Sequence, residues 1–258
     1  MKPVLWDELT GPEIKQLNKK TDMVIIPVGA TEQHGPHLPL LTDALIPTKI
    51  AYSISEKTGI PVLPTISYGD SQTHKTLDAT VWLRPETLHD WIYDVCKCLY
   101  FQGFRKILII NGHGTNVWPL HTAWSNLRFD LPDIQIKIAD NTINQYMSEE
   151  DKATLEEIRK LDPYEYHAGT TETSLVLAHR PDLVKMELAE DWPMKMPHGA
   201  LFDYRVDQIS KTGVCGRPTK ASKELGEKIM NARVDAISRW IENALKEEVP
   251  FKDKVDHV

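Results

Sequence analysis

Glu32, His34, His37 and Asp43 fall within twelve residues, in the run Gly29-Ala30-Thr31-Glu32-Gln33-His34-Gly35-Pro36-His37-Leu38-Pro39-Leu40-Leu41-Thr42-Asp43. Carboxylate oxygens and imidazole nitrogens are the donors that zinc, manganese and iron accept. Glu32 and His34 are two apart, so in an extended segment their side chains share one side. Asp43 follows a proline-punctuated loop that can fold back. It stands where a helix begins, with Thr42 or Asp43 available to cap it. Pro47 then fits only if it lies in the first turn. Any one of these residues alone is more simply a solvated carboxylate or a capping histidine. Together they read as metal ligands, with Asp43 able to bridge two ions. His37 is separated from His34 by Pro36, which forbids a helix there. It supports the ligands, faces substrate, or is a plain loop histidine.

Two further pieces carry similar chemistry. In Asn111-Gly112-His113-Gly114-Thr115-Asn116 the glycines allow close backbone approach, so His113 can reach inward. The N–H groups of such a turn can face a substrate oxygen. In His167-Ala168-Gly169-Thr170-Thr171-Glu172, Thr170 or Thr171 is placed as the N-cap of a helix. Glu172 then lies in the first turn, where a carboxylate contributes a few tenths to about 1 kcal/mol against the helix dipole, or serves as a ligand. His167, just before the turn, is placed as a proton carrier with a pKa near operating pH. His74 sits in a polar loop and is ambiguous. His121 reads as helix surface. Cys96 and Cys98 are two apart on a helix and point in different directions, as core and near-core thiols. Cys215 lies in a turn with a structural role.

Two apolar runs must position these loops. Met23-Val24-Ile25-Ile26-Pro27-Val28 ends at Gly29, and Lys106-Ile107-Leu108-Ile109-Ile110 stops at Asn111-Gly112. Short continuous apolar runs of this kind suit strands buried on both faces. Weaker strands are expected at residues 60–63 and 134–138. Between them, Leu88, Trp91, Ile92, Val95 and Leu99 recur at helical spacing over residues 85–103. Pro85 suits the first turn and Gly103 the end. A C-terminal helix is expected over residues 219–246, with Leu225, Ile229, Ile237, Trp240, Ile241 and Leu245 on its inner face. Strands alternating with helices imply βαβ units and a mostly parallel sheet. In such sheets ligands bind beyond the carboxyl ends of the strands. Residues 140–163 are expected to form a helix and a mobile lid, and residues 191–217 an irregular excursion near the site or an oligomer contact.

The 258 residues are 41% hydrophobic and 26% charged, with a formal net charge of -7. That length permits a substantial core. The negative charge argues against a nucleic-acid partner. No stretch approaches the roughly 18 apolar residues of a membrane span. The start of the chain turns acidic at Asp7 and Glu8, where a signal peptide would be apolar. Three cysteines do not make a disulfide framework. A cytoplasmic location is therefore expected.

The motifs Gly-Ala-Thr-Glu-Gln-His-Gly-Pro-His-Leu-Pro-Leu…Thr-Asp, Asn-Gly-His-Gly…Asn and His-Ala-Gly…Glu-Thr-Ser, with Leu83-Arg84-Pro85-Glu86-Thr87-Leu88 opening a helix, resemble the creatininase (creatinine amidohydrolase) family over nearly the whole chain. The resemblance implies a three-layer αβα sandwich with a mostly parallel central sheet, as one domain over residues 1–258. It also implies two divalent metal ions (Zn, Mn or Fe) and a homo-oligomer, often a hexamer made of dimers. By matching motif, Glu32 and His113 hold one ion, His34 the other, and Asp43 bridges them. Creatinine-cleaving members carry a Glu where Thr115 stands here, and Glu172 is the nearest replacement ligand. They also carry a tryptophan shortly before the histidine matching His167, where this chain has Pro163-Tyr164-Glu165-Tyr166.

The activity implied is hydrolysis of a small, cyclic substrate at a carbonyl, by water activated between two metals, with His167 and Glu172 catalytic. An amide or formamide C–N bond is the expected target. The alternative target is a C–C bond of a carbocyclic diketone such as 3-dehydro-scyllo-inosose. A non-catalytic metal-binding protein is the reading from another class, and His167 speaks against it, since a structural site needs no proton carrier. A nucleotide-binding module is disfavoured because no Gly-x-Gly-x-x-Gly or Walker-type loop follows either main strand.

Overall fold

Alternate residues of strand β1 (Met23–Val28) enter two different cores. Met23 and Ile25 join Ile46, Ile50 and Ile54 of helix α2 (Thr42–Thr58) and Leu225, Ile229 and Ile237 of helix α8 (Lys223–Ala244). Val24, Ile26 and Val28 join Leu88 and Ile92 of α3 (Pro85–Phe101) and Leu120 and Leu127 of α4 (Val117–Asp130). A side-chain period of two, with both faces apolar, forces this arrangement: a sheet with helices on each side. Strand β2 (Lys106–Asn111) splits the same way, Leu108 and Ile110 to one core, Ile107 and Ile109 to the other. The computed structural model describes residues 1–139, 145–193 and 204–250.

The sheet is parallel, in the order β1-β2-β3, with β3 spanning Gln135–Ala139. The layers are those of the expected three-layer α/β sandwich. The strand expected at residues 60–63 forms only isolated parallel bridges, from Val62 to Leu5 and to Ile25, and a further bridge joins Ile66 to Val28. Its backbone still follows the free edge of β1, where Ile25 N donates to Pro61 O at 2.9 Å and Leu63 N to Ile25 O at 2.9 Å. Pro61 and Pro64 lack the N–H groups that a continuous ladder requires.

Other boundaries shift for local reasons. Helix α8 begins at Lys223, after a 3-10 turn at Pro218–Lys220, because the Ser222 side chain caps it by accepting from Leu225 N at 3.1 Å. Leu245, expected on the inner face, follows the helix end and is 41% exposed. Helix α1 (Gly11–Asn18) opens with a Thr10–Glu13 capping box. Helix α5 (Glu149–Leu161) packs on α8, where Arg239 pairs with Asp151 at 3.0 Å. The start of the expected lid and residues 194–203 of the expected excursion lie outside the described residues. The described remainder of the excursion contains α7 (Val206–Ile209) and two antiparallel bridges, Trp192 to Gly216 and His167 to Cys215. The second bridge places Cys215 beside a site residue and gives it the structural role expected. No helix among the described residues is long and apolar enough to cross a membrane.

Candidate metal centre

The carboxyl ends of β1 and β2 deliver Glu32, His34 and His113 to one buried point, and the first turn of α2 brings Asp43 across them. Glu32 and His34 are fully buried, Asp43 is 1% exposed and His113 6%. Helix α2 starts at Thr42, with Leu41 at the cap position and no side-chain cap, so neither Thr42 nor Asp43 caps it. The Thr42 hydroxyl instead donates to Pro39 O at 2.7 Å, and Asp43 is free to point inward. Pro47 lies inside the helix, beyond the first turn expected for it. The N–H it lacks would have donated to the Asp43 carbonyl.

Asn111 holds the His113 backbone from both sides, donating to His113 O at 2.7 Å and accepting from its N–H at 3.2 Å. Asn116 is fully buried and ties three loops together. Its side chain donates to Gly29 O at 3.0 Å and accepts from Asp70 N at 2.9 Å. Sequence reading gave Asn116 no role of its own.

The third piece is helix α6 (Thr170–His179), which begins with Gly169 at the cap position, so Thr170 is its first residue and not its cap. A glycine cannot satisfy the first N–H groups, and two carboxylates do so, with a third holding the residue ahead of the cap. Asp162 accepts from Thr170 N at 3.3 Å, Glu165 from Thr171 N at 2.5 Å, and Glu172 from Ala168 N at 2.7 Å. Glu172 therefore holds the backbone just ahead of the helix and still stands 3.9 Å from His34 Nε2. Its side chain is 26% exposed and faces the opening of the centre. His167 donates from Nε2 to Gln33 O at 2.7 Å, and its Nδ1 lies 3.6 Å from Glu32.

All six residues expected at the site converge. Asp43 Oδ1 lies 3.1 Å from His34 Nε2, and Oδ2 lies 2.8 Å from His113 Nδ1. His113 Nε2 is 3.4 Å from Glu32 Oε2. Two donor groups therefore share Asp43: Glu32, Asp43 and His113, and His34, Asp43 and Glu172. Ligands roughly 2.1 Å from one tetrahedral ion lie roughly 3.4 Å from each other, so these spacings suit a common cation. Both oxygens of Glu32 are buried without a hydrogen-bond partner. Buried carboxylate oxygens left so are costly, and a cation would satisfy them. The donor set thus fits divalent metal.

His74 belongs with them. It is 4% exposed, and its Nδ1 stands 3.2 Å from Glu32 Oε2. Its ring also packs on those of His113 and His167. The polar loop around it showed no period that could have placed it. His37 is buried and bonds Thr173 of α6 at 3.0 Å. His121 is exposed, as expected.

Electrostatics confirm the demand for positive charge. Burial, the largest influence on His34, opposes its charge, yet Asp43, Glu172 and Glu32 together push it up to about 10. Burial likewise opposes charge on His113, and Glu32 and Asp43 carry it up to about 9. Burial raises Glu32 to about 7. Against its own burial, the charges of His34 and His113 hold Asp43 well below the usual carboxylate range. His167 goes the other way: burial, then the charges of His34 and His74, hold it well below the ordinary histidine value. The Asp43 charge acts the other way without offsetting that desolvation, so His167 titrates below the operating range expected for it.

The family model described as Creatininase: Creatinine amidohydrolase matches residues 7–241. The chain belongs to the creatininase family. The mycofactocin precursor peptide peptidase of Mycolicibacterium smegmatis is 31% identical, over 88% of this chain and 88% of its own. The creatinine amidohydrolase of Pseudomonas putida is 30% identical over 96% and 98%, and the 3-dehydro-scyllo-inosose hydrolase of Thermotoga maritima 29% over 94% and 84%. A crystal structure of creatininase covers 96% of the chain and 100% of its own length, at 29% identity and a TM-score of 0.81. Structures described as a manganese creatininase and as a mutant creatininase of Zn–Zn type each give a TM-score of 0.80 at 28% identity. These relatives are hydrolases, and the creatininase fold carries a cluster here that suits divalent metal.

Beside the centre lies a cavity of ≈ 280 Å³, lined by His113, Gly114, Glu165, Tyr166, Glu172 and Arg233 among others. Creatininase-family resemblance did not point to Arg233. It comes from α8, whose pattern showed only a long amphipathic helix.

Proposed function

We propose that this protein is a hydrolase that uses two divalent metal ions to cleave an amide C–N bond in a small substrate. The observation that carries this reading is Asp43, whose two oxygens face His34 and His113 separately and so join two donor sets. Glu32, Asp43 and His113 would hold one ion, and His34, Asp43 and Glu172 the other. Metal at such a site supplies water that ionises near neutral pH and an electrophilic pull on a carbonyl oxygen.

The remaining steps belong to the chain. The Gln33 carbonyl fixes the Nε2 proton of His167, which leaves the Nδ1 lone pair facing Glu32 and the centre. His167 Nδ1 takes up the proton released as water adds to the carbonyl carbon. It then returns that proton to the departing nitrogen, so the amine leaves neutral. The bridge to Cys215 holds the His167 backbone, with His167 N donating at 3.1 Å and Cys215 N at 2.8 Å. Glu172, on the cavity side, completes the second donor set in place of the residue that Thr115 cannot supply. Thr115 hydrogen-bonds His113 Nε2 at 2.6 Å and the Asp70 carbonyl.

Purified protein is assayed for metal by plasma mass spectrometry and for hydrolysis of a panel of cyclic amides, formamides and dipeptides, before and after chelation. About two transition-metal ions per chain, with activity lost on chelation and restored by zinc or manganese, is the expected result. Protein that neither holds nor takes up metal sinks the reading.

A further inference from the structure

Arg233 is the feature of the cavity that the centre does not explain. It projects from α8 into the space that His113, Gly114 and Glu172 also line. No hydrogen bond or ion pair joins its guanidinium to another described residue. The two carboxylates that act on it electrostatically, Glu165 and Glu172, are engaged elsewhere. Glu165 accepts from both the backbone and the hydroxyl of Thr171, and Glu172 accepts from Ala168 N. Burial raises Glu165 to about 7, which weakens it further as a counter-charge.

A guanidinium cannot shed its proton under ordinary conditions and carries five donors in a rigid fork. Half-buried at the cavity wall with no described residue matching those donors, its fork is open to a ligand. Burial indeed opposes its charge first among the influences on it. Ile46, Pro47, Ile50 and Leu175 line the same cavity and offer it no acceptor. The group that matches the fork is a carboxylate or phosphate, held by two parallel N–H···O bonds. A neutral ring such as creatinine would leave the fork unmatched.

We infer that Arg233 receives an oxyanion of the substrate, so that the amide cleaved at the centre belongs to an anionic molecule such as an acylated amino acid or a short peptide with a free carboxylate. The inference rests on the proposed function only in taking the cavity to serve the metal centre. Arg233 is then a specificity-determining residue: it anchors one end of the substrate while the scissile carbonyl lies among Glu32, Asp43 and His113.

The test titrates zinc-loaded protein calorimetrically with N-acetylglycine, with its uncharged counterpart N-acetylglycinamide, and with inorganic phosphate. Wild type, Arg233→Gln and Arg233→Lys are compared, with zinc content and a thermal melt recorded for each. Wild type is expected to prefer N-acetylglycine over the amide by about tenfold or more, as charge-assisted pairs allow. Arg233→Gln is expected to lose that preference without losing affinity for the amide, and Arg233→Lys to retain part of it. A phosphate affinity that also falls in Arg233→Gln assigns a phosphate-bearing substrate, and one indifferent to Arg233 assigns a carboxylate. No preference in wild type, or a preference that survives in Arg233→Gln, overturns the inference, since the metal would then hold the anion. Should Arg233→Gln not fold, the wild-type preference and Arg233→Lys decide. Hydrolysis is followed in the same samples. Arg233-dependent binding without turnover sinks the proposed function and leaves the anion site standing. Equal turnover of both compounds regardless of Arg233 keeps the function and sinks the anion site.

Discussion

A methyl group on Gly112 would lie 2.1 Å from the backbone oxygen of Asp43. The helix that carries Asp43 crosses the end of β2 at a distance that only a glycine permits, and Gly29 at the end of β1 faces the same oxygen. That approach is what lets a residue on α2 reach between His34 and His113. Gly112→Ala must push α2 off the strand ends. The expected cost is about 1–3 kcal/mol, a fall in Tm of several degrees for a chain of 258 residues, together with loss of metal. Gly114→Ala is the control, because nothing lies within 4 Å of an added Cβ there. Its expected change is within about 0.5 kcal/mol. Melting curves and metal content check the pair, and equal effects at both positions would remove the packing argument.

Asp43→Ala removes the one side chain shared by both donor sets. Metal is expected to fall from about two ions per chain to less than one, with the fold retained, since the Asp43 side chain contributes no cap to α2. Plasma mass spectrometry beside circular dichroism reads both. Full retention of two ions would assign the bridge to another residue.

His167→Ala separates proton transfer from metal binding. Its Nδ1 faces Glu32 at 3.6 Å, close enough for either role. Turnover is expected to fall about 10²–10⁴-fold with metal content unchanged. Metal lost in parallel with activity would make His167 a ligand in place of a proton carrier.

The cysteines offer a test of the cores. Cys96 and Cys215 are fully buried, and burial pushes their thiols up to about 12 and about 11. Cys98 is exposed. Iodoacetamide at pH 8 is expected to label Cys98 alone in native protein and all three after denaturation, as peptide mass spectrometry would show. Raised thiol values also fix a sign. The fold favours the neutral thiols, so their contribution is complete below the ordinary value of 9.0 and is lost as pH rises through about 11 to 12. Chemical denaturation at pH 8 and pH 11 should therefore show lower stability at the higher pH.

The sequence by itself determined strands β1 and β2, the parallel sheet and the residues that converge at the candidate centre. Continuous apolar runs such as Met23–Val28 allow only a strand covered on both faces, and a strand running into Gly and His marks where ligands gather. Glu32 and His34 could be paired from their spacing because extended backbone repeats every two residues. What the tertiary structure alone decided depends on approach between distant segments. Asp43 meets His113 because Gly29 and Gly112 admit the α2 backbone, a contact across 70 positions. His74 joins through a loop without period, held near the centre by Asn116 bonding Asp70. Arg233 faces the cavity from a helix 61 positions beyond Glu172. The neutrality of His167 follows from burial and neighbouring charge, which no local pattern encodes.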